Sequence, residues 1–120
     1  MMKSYTDVKQ SKALAKILPL NIADCCYIKY CTSDNSEWRY EGQPPMFLGD
    51  IPITEIEAEH IPCWSLAALL NMLPSGKALI HDIGNHGYKC ICNNIDTDFY
   101  DNPVDACYEM ILILHKKGLL

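Results

Sequence analysis

The sequence lacks most of the patterns that announce a common chemistry. No apolar run approaches the ~18 residues that a membrane-crossing helix needs. No Gly-x-Gly-x-x-Gly, P-loop, Gly-x-Ser-x-Gly or His-Glu-x-x-His pattern occurs among the 120 residues, so dinucleotide sites, serine-hydrolase elbows and zinc-protease helices have no support. Cys-x-x-Cys is missing as well, which removes the usual knuckle of a structural zinc site. Cations are scarce: ten Lys and Arg stand against fifteen Asp and Glu, for a net charge of -5. That balance opposes generic binding to a phosphate backbone. Repeats and low-complexity tracts are also absent. Residues 1–20 mix Lys with Ala and Leu where a secretory leader would carry a continuous apolar core, so a cytoplasmic location is expected.

What is present belongs to an ordinary globular protein. The chain is 49% hydrophobic and 21% charged, and a chain of this size buries about two-thirds of its unfolded surface, enough for one domain spanning 1–120. The clearest element is the last helix. Asn102 is a good cap, Pro103 fits the first turn, and Asp105 places a carboxylate at the positive end of the dipole. Val104, Cys107, Met110, Ile111 and Leu114 then recur at spacings of three and four, and Gly118 is a natural stop. An apolar stripe of this kind has to be covered.

The rest of the chain supplies the cover. Thr6 to Leu18 reads as a short helix ending at Pro19, with Thr6 as its cap and Leu14, Ile17 and Leu18 on one side. Cys26 to Cys31 alternates like a strand and pairs with Glu37 to Glu41, where Trp38 and Tyr40 share a face. Gly42 to Pro62 holds Pro44, Pro45, Pro52 and Pro62 together with Asp50, Glu55, Glu57 and Glu59; it predicts an exposed connection, with a short strand at Met46 to Leu48. Cys63 to Leu73 follows as a largely buried helix with Pro62 in its first turn. Ala78 to Ile83 and Tyr88 to Asn93 form a hairpin around Gly84 to Gly87. The predicted class is α+β, a mainly antiparallel sheet of about four to five strands packed with about three helices.

Seven cysteines, at 25, 26, 31, 63, 90, 92 and 107, form an odd set without an export signal, and reduced thiols are expected. Cys90 and Cys92 share a strand face with α-carbons about 6.6 Å apart, a poor geometry for a bridge. The sharpest chemical candidate is Cys63 with His60, a thiol at a predicted helix start and an imidazole three residues earlier. A second is metal binding by Cys25, Cys26, Cys31, Cys90, Cys92, His81 and His86, should the two hairpins meet. Asp96, Asp98 and Asp101 lack the glycine and terminal glutamate of a calcium loop. Tyr27, Tyr30, Trp38 and Tyr40 could stack bases, but only Lys29 and Arg39 stand among them while Asp34, Glu37 and Glu41 oppose. Packing and cross-strand pairing explain the rings more simply, and a protein partner is the alternative use.

The run Ile61, Pro62, Cys63, Trp64, Ser65, Leu66 and Ala67, with Asn102, Pro103, Val104, Asp105, Ala106 and Cys107, resembles a group of small proteins of bacteriophages and integrated mobile elements of gut bacteria. The resemblance covers most of the chain, including Leu18, Pro19 and Leu20, and implies a context without a known activity, cofactor or catalytic residue. Taken together, the expected function is a small non-enzymatic accessory protein of a phage or mobile element, acting through protein contacts. No assigned catalytic or metal residue, cofactor, nucleic acid or membrane is expected. The alternative is a cysteine-dependent or metal-assisted enzyme centred on Cys63 and His60 or on the Cys90 and Cys92 hairpin. Met46, Phe47, Leu48, Ile51, Ile53 and Ile56 give the acidic segment more apolar surface than a passive loop needs: either these side chains cap their own sheet, or they present an edge to another chain, in which case a homodimer or a host-protein complex forms there. Light scattering of an Ile53→Asp, Ile56→Asp double variant checks the homodimer: its mass should fall to the monomer's, and a folded variant of unchanged mass excludes this segment as the self-association surface.

Overall fold

The structure, a computed structural model, describes residues 3–30, 37–44, 47–48, 51–52, 58–82, 84 and 87–120. These fall into two compact units, one of residues Asp7–Trp64 and one that joins the segment through Thr6 to Ser65–Leu120.

The Asp7–Trp64 unit begins with α1 (Val8–Leu14). Its cap is Asp7, one residue beyond the expected Thr6, because the Asp7 carboxylate accepts from the Gln10 amide at 2.8 Å while the Gln10 side chain accepts from the Asp7 amide at 3.1 Å. This reciprocal box satisfies two of the helix's orphan donors. Beyond Leu14 the chain keeps turning, with the Leu18 amide on the Leu14 carbonyl at 2.8 Å, so Leu14 and Leu18 are both buried before Pro19 intervenes. Strand β1 (Cys25–Tyr30) pairs antiparallel with β2 (Arg39–Glu41), placing Tyr27 opposite Tyr40. The two-residue strands β3 (Phe47–Leu48) and β4 (Ile51–Pro52) pair with each other. Ile53 and Ile56 lie outside the described residues.

Strand β5 (Ala58–Cys63) completes a sheet of order β2-β1-β5, and α1 packs on β5. Here the structure corrects the expected helix start at Cys63. Pro62 sits in a strand, directly opposite Cys26. A proline has no amide to donate, but β5 is an edge of its sheet, where one face of the backbone ladder needs no partner.

The second unit opens with a bridge between Tyr5 and Ser65. Ser65 caps α2 (Leu66–Met72), its hydroxyl accepting from the Ala68 amide at 3.2 Å. Two turns of helix bury one side only: Leu69 is fully buried, whereas Ala67 and Asn71 are exposed. The expectation of a largely buried helix is therefore corrected. Strands β6 (Lys77–Asp82), β7 (Gly87–Cys92) and β8 (Ile95–Asp96) form an antiparallel sheet of order β6-β7-β8. Gly87 has φ +93°, and a β-carbon there would collide with the Tyr100 carbonyl, whose oxygen accepts from the Tyr88 amide at 2.7 Å.

Helix α3 (Pro103–Lys116) matches its sequence pattern closely. Asn102 accepts from the Asp105 amide at 2.9 Å, and Val104, Cys107, Met110, Ile111 and Leu114 are all buried. At the far end Gly118, at φ +71°, lets the Leu119 amide reach the Leu114 carbonyl and its own amide reach His115, a Schellman closure. The helix covers β7 and α2. Among the described residues the class is thus α+β with three α-helices, but the single antiparallel sheet of four to five strands is replaced by two three-stranded antiparallel sheets and the short β3-β4 pair. The run 58–63, read as loop and helix start, is the strand that completes the first of them. No helix among the described residues is long and apolar enough to cross a membrane.

Trp64 is fully buried. Trp64→Ala should therefore cost about 3 to 5 kcal/mol through lost transfer energy and the cavity left behind. Chemical denaturation measures it directly, and an unchanged midpoint would place the indole at the surface.

Candidate functional site

The most specific chemical candidate is dissolved by strand geometry. His60 and Cys63 lie in the same strand at an odd separation, so their side chains project from opposite faces of the sheet. The Cys63 sulfur is also committed elsewhere: β1 and β5 place Cys25 opposite Cys63, with α-carbons 5.0 Å apart, and the two form a disulfide. The expectation of uniformly reduced thiols is corrected for this pair. The bridge closes a separation of 38 residues, for which the chain-entropy model gives about 4 kcal/mol of stabilisation.

Cys90 and Cys92 have the shared face expected of alternate strand positions, and both are fully buried on the side that α3 covers. Neither is bridged. The Cys107 thiol is also fully buried and interacts with that of Cys90. That interaction draws the Cys90 thiol down, while it pushes Cys107 up with the help of burial. Burial raises Cys92 and Cys26 as well, the latter with a contribution from Glu41. A buried, protonated thiol packs as a small hydrophobe and is a poor nucleophile.

The candidate metal ligands are accounted for in part. Among the described residues no three His, Cys, Asp or Glu side chains are grouped so as to hold an ion; Cys31 and His86 lie outside those residues. His81 stacks on Tyr88 with centroids 4.2 Å apart. Of the three aspartates, Asp96 pairs with Lys89 at 3.3 Å, the Asp98 carbonyl accepts from the Thr97 hydroxyl at 2.9 Å, and Asp101 is exposed. They serve turn and surface roles.

A different surface stands out. Because Cys90 and Cys92 face α3, Lys89 and Ile91 face the other way, and the register sets Ile80 opposite Lys89, Ala78 opposite Ile91 and Asp96 opposite Ile91. Ile80 is 38% exposed and Phe99 39%, with the Lys89 ammonium 5.3 Å from the Phe99 ring centre. Strand β6 is an edge of the sheet. The consecutive apolar pair Leu79 and Ile80 was the sequence signal for this face, since strict alternation would have made one of them polar.

No family model, curated protein or solved structure matches this chain.

Alkylation followed by peptide mapping tests the thiol assignment. Cys25 and Cys63 should stay unlabelled until reduced, while Cys26, Cys90, Cys92 and Cys107 should label only after denaturation. Rapid native labelling of Cys63 would restore the nucleophile reading.

Proposed function

We propose that this chain is a small non-enzymatic accessory protein of a phage or mobile element, working through protein–protein contacts. The observation that supports this reading is the outer side of the β6-β7-β8 sheet, where exposed Ile80 and Phe99 flank the Lys89 and Asp96 pair beside an edge strand. An edge strand offers backbone amides and carbonyls to an added extended segment, and alternate side chains of that segment would rest on the aliphatic face. Large apolar side chains held at the surface next to such an edge suit an interface core better than isolated solvation. The resemblance to phage and mobile-element proteins supplies the biological setting. The competing cysteine-enzyme reading has little left to act with, since the Cys63 sulfur is bonded to Cys25 and the remaining described thiols are buried.

Affinity purification from host lysate, quantified for wild type and for an Ile80→Asp, Phe99→Asp double variant, tests the proposal. Both side chains are exposed, so the melting temperature should change little. The expected result is a defined set of proteins enriched by wild type and lost with the variant. Equal recovery by a folded variant would remove this face from the binding surface.

A further inference from the structure

We draw no further inference here: the strongest candidate, the cation–aromatic cluster beside strand β2 in which the Lys12 and Lys29 ammoniums lie 5.5 and 5.6 Å from the Trp38 ring centre, carries nothing because nothing in the structure shows what covers it.

Discussion

The Asp7–Trp64 unit depends on one long-range event, the pairing of β1 with β5. Bringing Cys25 beside Cys63 closes a separation of 38 residues, and loop-closure entropy opposes that step until the ladder and the apolar faces form together. Once formed, the pairing decides much else. It gives α1 a surface to pack on, fixes Tyr27 opposite Ile61, and aligns the two sulfurs that become a bridge. The same ladder makes β5 an edge, which is why Pro62 can occupy it.

The cysteines show how one residue type takes different fates according to its neighbours. Cys25 and Cys63 are cross-strand partners, whereas Cys26, one residue along β1, projects to the other face opposite Pro62 and remains a thiol. Cys90, Cys92 and Cys107 fill the space between β7 and α3, where small side chains let strand and helix approach closely. Their number in the sequence suggests a framework or a metal site. Their placement makes most of them filler.

The two units present surfaces of different character. The outer face of β6-β7-β8 is aliphatic and lies beside an open strand edge, while the α1 and β2 surface is cationic and aromatic.

Local sequence determined what local physics controls. The cap, stripe and Schellman stop of α3 were legible because each involves residues three to five positions apart, and the β6-β7 and β1-β2 pairings because their strands alternate and lie close together in the sequence. Non-local pairing was not legible. Nothing within the run from Ala58 to Cys63 announces β1 as its partner, and Pro62 argues locally for a helix start, so the division into two sheets and the Cys25 bridge appeared only with the tertiary structure. Trp38 likewise read as a packing residue. Only the packing of α1 on the sheet puts Lys12 over that indole, because contacts between residues 26 apart in the chain are set by the shape of the whole unit and not by the preferences of either segment.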